Sequence, residues 1–271
     1  MRPSLKLAIG GMGAIGMAVA RRVDAGDVPG LELAAISARD QDKARQRLAN
    51  FRTPPALVAL GALADHGDVV LESVPGRHFS EIAEPAIAKG RIFMPLSVGQ
   101  LLTHMDLVET ARETGARILV PTGALLGLDA VRAVAEGQVA SVRIITRKPP
   151  RGLKGAPHLV ANSISVDDLP AAKKVFEGSA REAIKGFPAN VNVAVALSLA
   201  GIGPDKTQIE IWADPEVDRN VHTIEVRSDS SDLTMTIANI PSEENPATGK
   251  ITALSALATL RRLTAPLVVG T

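Results

Sequence analysis

The apolar positions fall into short runs separated by polar segments with helical spacing, and the alternation is regular through the first 120 or so residues. Residues 5–9 form an apolar, strand-like run, the glycines at 10, 11, 13 and 16 follow, and residues 14–23 then carry helical spacing with basic residues at the end. The same beat continues. Strands are predicted over 31–36, 68–74, 91–97 and 117–121, with helices over 40–50, 78–89 and 104–114 between them. Strands that alternate with helices at this spacing pair in parallel through right-handed crossovers, so the expectation is a doubly wound Rossmann sheet.

Beyond Pro121 the rhythm changes. A helix is predicted over 128–136, a long strand over 139–147, a loop rich in Pro and Gly, a helical stretch over 171–185 broken near Gly178, and an apolar helix over 191–200. Three strand-like segments, 208–213, 222–227 and 233–238, then follow with no helix between them, which implies a largely antiparallel sheet in an α+β domain. The division is therefore a doubly wound Rossmann domain over 1–121 and an α+β domain over 122–247. The apolar C-terminal helix, within 248–271, is expected to pack back on the first domain.

Composition narrows the partners. Thirty Lys and Arg against 29 Asp and Glu leave a charge of +1, which provides no field for a phosphate backbone, so nucleic acid is not expected. The 271 residues include no Cys and no Tyr, which removes disulfides, thiolate catalysis and Cys-based metal sites, and fits a reducing, cytoplasmic setting. No His or carboxylate array has metal-ligand spacing, and no apolar run reaches the roughly 18 residues a membrane span needs. An N-terminal signal peptide is rejected as well, because the glycines would break its apolar helix.

Gly11-Met12-Gly13-Ala14-Ile15-Gly16 is a GxGxxG placed between the first strand and the first helix. In that context the first glycine permits the turn, the second lets a pyrophosphate reach the backbone, and the third lets helix and strand pack closely. A glycine-rich turn without a ligand would leave the same string, but its position opening an alternating series points to NAD or NADP. About 20 residues on, where an NAD site commonly has an acidic residue, the chain has Ser37 followed by Arg39. Such a pair tolerates a 2′-phosphate, although Arg39 and Asp40 would also suit the start of the next helix.

Hydride removal from an alcohol or amine calls for a proton acceptor, and His is the usual one near neutral pH. Of the five His, His66, His78 and His104 read as capping or exposed residues, and His158 lies in the Pro/Gly-rich loop as a lining of a mobile lid. Strand alternation turns His222 inward with Ile224 and Val226, where it is either a hydrogen-bonded core residue or the catalyst.

Several segments together resemble the L-aspartate dehydrogenase family: the glycine loop, Pro121-Thr122-Gly123-Ala124, Thr146-Arg147-Lys148-Pro149-Pro150, Phe187-Pro188-Ala189-Asn190-Val191-Asn192, Asp218-Arg219-Asn220-Val221-His222, and Asn239-Ile240-Pro241-Ser242 with Asn245-Pro246. The resemblance implies that His222 is catalytic and that Ala124 and Asn190 contact the dinucleotide. It also implies oxidation of L-aspartate to iminosuccinate, then oxaloacetate and ammonia, or the reverse, feeding pyridine nucleotide synthesis, in a homodimer. Thr122, Thr146, Arg147 and Lys148 are the available partners for two substrate carboxylates, of which Thr122, Thr146 and Lys148 are taken as binding residues. A reductase of the homoserine or dihydrodipicolinate type and a non-catalytic dinucleotide-binding sensor stand as alternatives.

Overall fold

In the computed structural model, residues 4–188, 191–244 and 248–270 are described. The chain divides into two compact units, Met1–Pro121 with Thr252–Val268, and Thr122–Ile251 with Val269–Thr271.

The first unit contains β1 (Leu5–Gly10), α1 (Ala14–Asp24), β2 (Leu31–Ser37), α2 (Gln41–Leu48), β3 (Ala56–Leu57), α3 (Leu63–His66), β4 (Val69–Glu72), α4 (Phe79–Ala88), β5 (Ile92–Pro95), α5 (Asp106–Thr114) and β6 (Arg117–Ile118). Its six strands lie in the order β3-β2-β1-β4-β5-β6 and every pairing is parallel, the doubly wound arrangement. The order reverses beside β1, which places the glycine loop at the topological switch point. The two-residue strand β3 has no counterpart in the apolar pattern.

The sheet is apolar on both faces because helices cover it, as continuous runs such as Val69–Glu72 require. Leu7, Ile9, Val19, Leu71 and Met94 form its core, joined by Ala256, Leu257 and Leu260 of the C-terminal helix, Ile251–Thr264. That helix is also tied down at its end, where Arg261 donates to the Asp27 carbonyl at 2.6 Å and Thr264 Oγ1 to the Pro29 carbonyl at 2.7 Å.

The second unit contains α6 (Leu128–Val134), β7 (Val139–Lys148), α7 (Pro157–Ala161), β8 (Lys173–Ser179), α8 (Ala180–Gly186), α9 (Asn192–Ala200), β9 (Gln208–Ala213), β10 (Val221–Ser228) and β11 (Asp232–Ala238), and the C-terminal helix is α10. The sheet order is β11-β10-β7-β9-β8; β7 and β9 run parallel and the other pairings are antiparallel, so the sheet is mixed. One sheet face, with Val142, Ile144, Ile209, Ile211, Ile224 and Val226, packs on Val131, Ala183, Phe187, Ala194 and Leu197 from the helical side.

The predicted helix over 171–185 is corrected here. Its first half is the strand β8, and only Ala180–Gly186 is helical. Ser179 accepts from the Glu182 N–H while the Glu182 carboxylate accepts from the Ser179 N–H, a capping box that starts the helix at Ala180. The residues before it pair with β9, and that ladder outweighs the helix propensity of Lys and Glu.

Candidate functional site

In the first unit the site is a set of missing side chains. Gly11 holds φ of +102°, and a Cβ there would lie 2.6 Å from the Ser73 carbonyl oxygen. A Cβ at Gly16 would collide with the Gly11 carbonyl oxygen and sit 2.8 Å from Ser73 Oγ, which itself donates to the Gly10 carbonyl at 2.8 Å. These two glycines are demanded by the fold. Gly13 is not: its φ is −74° and a Cβ would meet nothing within 4 Å. The space above Gly13 is a cradle that opens at the N-terminus of α1, whose first turn contains no acidic residue to neutralise the helix dipole. Backbone N–H groups facing open space at a helix start fit a pyrophosphate, so these residues suit a dinucleotide.

Met12, Ala14 and Ile15 complete this loop, and the Met12 carbonyl accepts from Arg47 Nη1 of α2 at 3.1 Å. Ser37, 4 % exposed, ends β2 opposite Gly10, and its carbonyl accepts the Gly11 N–H at 2.9 Å. Asp40 caps α2 by accepting from the Lys43 N–H at 3.0 Å, whereas Arg39 is exposed. The loops that follow β4 and β5 share one buried carboxylate. Glu72 accepts from the N–H groups of Val74, Leu96 and Ser97 and from Ser97 Oγ, at 2.9 to 3.2 Å. Burial pushes its pKa up, opposed by those bonds.

In the second unit the site is a polar spot on an apolar sheet face. The register sets His222 of β10 directly opposite Thr146 of β7, and Lys148 follows two residues on, on the same face. Their neighbours on this face are Ile144, Ile211, Ala213 and Ile224. Thr146, Lys148 and His222 are 1 %, 6 % and 2 % exposed. Thr146 Oγ1 and His222 Nδ1 are hydrogen-bonded at 3.0 Å. Burial, helped by the Lys148 charge, depresses the His222 pKa to about 3, so the imidazole is neutral across the physiological range. Burial alone brings Lys148 down to about 8, which leaves it mostly cationic at neutral pH.

Arg147 lies on the opposite face. It pairs with Asp214 at 2.9 Å and stacks over Trp212, so it is not part of this spot. A cavity of about 100 Å³ adjoins Lys148 and is also lined by Arg151, Arg219, Asn220, Asn239 and Gly249. Thr122 and Ala124 belong to a turn in which Gly123 holds φ of +66°. The Thr122 carbonyl accepts from the Leu125 N–H, and that of Ala124 from Asn239 Nδ2 at 2.9 Å. His158 lies not in a loop but in α7, where its ring packs against Phe176 and Phe187. Asn190 falls outside the described residues.

Comparison with known proteins gives two successive matches along the chain. Residues 11–121 match the NAD-binding domain of homoserine dehydrogenase, and residues 129–263 the C-terminal domain of aspartate dehydrogenase. The L-aspartate dehydrogenase of Bradyrhizobium diazoefficiens is 53 % identical over 98 % of this chain and 94 % of its own length. The chain belongs to the L-aspartate dehydrogenase family. It is thus an NAD(P)-dependent amino-acid dehydrogenase by descent. L-aspartate dehydrogenase 3 of Bordetella bronchiseptica is 51 % identical over the full chain, and the enzyme of Methanosarcina barkeri 38 % over 98 %.

Among solved structures, aspartate dehydrogenase from Thermotoga maritima superposes with a TM-score of 0.75 at 24 % identity, over 98 % of this chain and 99 % of that one. A scyllo-inositol dehydrogenase from Lactobacillus casei, solved with NAD(H) and scyllo-inositol, follows the same fold at TM-score 0.54 and 13 % identity, over 96 % and 86 %. At these identities both comparisons speak to the fold.

Sequence reasoning passed over Glu72, Arg47, Arg151 and Asn239. Only Asn239 had a signal, as part of the Asn-Ile-Pro-Ser segment; the others carry none in the sequence.

Proposed function

We propose that the protein oxidatively deaminates L-aspartate to iminosuccinate, which water converts to oxaloacetate and ammonia, and that it runs the reductive amination in reverse. The observation that carries this reading is the buried group of Thr146, Lys148 and His222 beside a cavity lined by Arg151 and Arg219, since a dicarboxylate needs cations and amine oxidation needs a neutral base. The identities of the relatives support the substrate.

When bound, the dinucleotide supplies the acceptor for the hydride of the substrate α-carbon. His222 does the proton chemistry. With Nδ1–H donated to Thr146 Oγ1, Nε2 presents its lone pair and takes the proton of the water that adds to the imine carbon. A pKa near 3 makes the imidazole a reluctant store for that proton, so it is passed on rather than held. Lys148, protonated below about pH 8, holds a substrate carboxylate, and Thr146 with Thr122 offers hydroxyls. Ala124 contacts the dinucleotide in this reading, and the family resemblance gives Asn190, outside the described residues, the same role.

The glycine loop, with Gly11, Met12, Gly13, Ala14, Ile15 and Gly16, carries the pyrophosphate. Ser37 in place of an acidic residue, with exposed Arg39 nearby, lets NADP serve as well as NAD. The half-exposed sheet face that bears Ile145, Trp212 and Thr223 supports a homodimer. A Cys-free chain supports a cytoplasmic setting, and iminosuccinate as product supports a role in pyridine nucleotide synthesis. Incubation with L-aspartate and NAD+ or NADP+ tests the reading. Absorbance at 340 nm should rise with oxaloacetate and ammonia recovered in equal amounts, and no rise with either cofactor would overturn it.

A further inference from the structure

Asn239 follows the last residue of β11 and is 4 % exposed. Its main-chain N–H donates to the Asn220 carbonyl at 2.8 Å and its side-chain Nδ2 to the Ala124 carbonyl at 2.9 Å. The second bond fixes which way the amide points, because exchanging oxygen and nitrogen would set two carbonyl oxygens against each other. Oδ1 is therefore the atom left over. Among the described residues it is the buried side-chain polar atom that has no hydrogen-bond partner. A buried acceptor without a donor is costly, and such a group is kept where something outside the chain completes it.

Gly249 stands next to it. A Cβ at that position would lie 3.3 Å from Asn239 Oδ1 and 3.3 Å from Asn239 Cβ, so any side chain there would crowd the amide. Both residues line the cavity, together with Lys148, Arg151, Arg219 and Asn220. The carboxylate on that wall, Asp218, is engaged by Arg219 at 2.7 Å through both oxygens. The cavity thus offers cations and amide groups to an anion, and Asn239, one of its lining residues, carries just beneath that wall an acceptor without a donor of its own.

We infer that Asn239 Oδ1 accepts an N–H of the substrate's α-amino group, and that it selects a dicarboxylate bearing nitrogen over one without it. The inference rests on the proposed aspartate reading: two carboxylates are met by cations, and the ammonium group needs an acceptor. The residue acts on binding and orientation. The Ala124 carbonyl, held by the same amide, ties the acceptor to the turn at Thr122–Ala124, so the amine and that turn are positioned by one side chain.

The test uses calorimetric binding to the full protein saturated with NADH, where neither L-aspartate nor succinate can be oxidised. Succinate is the same dicarboxylate without the amine. Asn239→Ala should weaken L-aspartate by roughly 10- to 100-fold, the value of a hydrogen bond to a charged group, while succinate changes less than about twofold and NADH is unaffected. Asn239→Asp keeps the oxygen and gives up the amide donor. It should preserve or raise the preference for L-aspartate over succinate, a ratio in which repulsion of the carboxylates cancels, and it decides the matter if the Ala variant does not fold.

Parallel losses for both ligands in Asn239→Ala, or a lowered preference in Asn239→Asp, would overturn the inference. So would a loss confined to NADH, which would assign the amide to the dinucleotide. Wild-type protein that binds neither dicarboxylate would instead remove the aspartate reading itself, and this inference with it.

Discussion

The glycine loop of the first unit and the polar spot of the second are opposite ways to build a site. At the loop, function depends on side chains that are absent, and the local conformation comes from the loop itself with a close approach by Ser73. At the spot, the proposed function depends on three side chains whose properties are created by their surroundings. Thr146, Lys148 and His222 would be ordinary in water; the sheet register and the apolar neighbours keep the imidazole neutral and lower the charge retention of the lysine. A site of the first kind breaks by adding atoms, and one of the second kind by removing them or by titration.

The largest expected effect separates two glycines of one loop. Gly16→Val drives a side chain into the Gly11 carbonyl and should cost about 3 kcal/mol or more, enough to lower the melting temperature of the first unit steeply. Gly13→Val has room and an ordinary φ, so the protein should melt as wild type while dinucleotide binding, followed by calorimetry, is lost. Equal melting of the two variants would mean that the loop is not packed as described.

Removing the base comes next. His222→Ala should lower turnover by roughly 10² to 10⁴ with dinucleotide affinity kept, the usual effect of a positioned acid or base. If His222 were only a core residue, the melting temperature would fall and turnover per folded molecule would stay. Since its pKa lies near 3, His222 contributes no titration between pH 6 and 9, and the alkaline limb of the pH profile should survive this change.

That limb belongs to Lys148. Its folded pKa of about 8 lies below the ordinary 10.5, so charge is lost, and substrate carboxylate with it, as pH rises through 8. KM for L-aspartate should rise above pH 8, and Lys148→Met should raise KM roughly 10- to 100-fold at pH 7 and abolish the rise. The same depression makes folding less favourable below about pH 8 and relieves it as pH climbs towards 10.5, a trend that melting curves of the Met variant should lack. Exposed Arg39 gives the smallest effect: Arg39→Ala should weaken NADPH by roughly threefold and leave NADH unchanged.

The contrast also explains what the chain made legible. The parallel sheet and the glycine loop could be read directly, because apolar runs, glycine spacing and helix starts are local signals. Residues 173–179 could not, since Lys and Glu favour a helix and the β9 ladder alone makes them a strand, which the Ser179 capping box ends by starting α8. Strand alternation turned His222 inward, but the Thr146 partner is set by the pairing of strands far apart in sequence. Arg147 and Lys148 are adjacent and both basic, and the pleat alone sends one to Asp214 and the other to the site. Glu72 gave no signal inside its predicted strand because its donors are backbone N–H groups of the loops after β4 and β5.

The central claim, that this site handles nitrogen on a dicarboxylate, is tested most directly by the reductive reaction with single omissions. NADH or NADPH should be consumed at 340 nm only when oxaloacetate and ammonium are both present, with L-aspartate as product. Consumption with oxaloacetate alone, giving a hydroxy acid, or no consumption with both present, would contradict it.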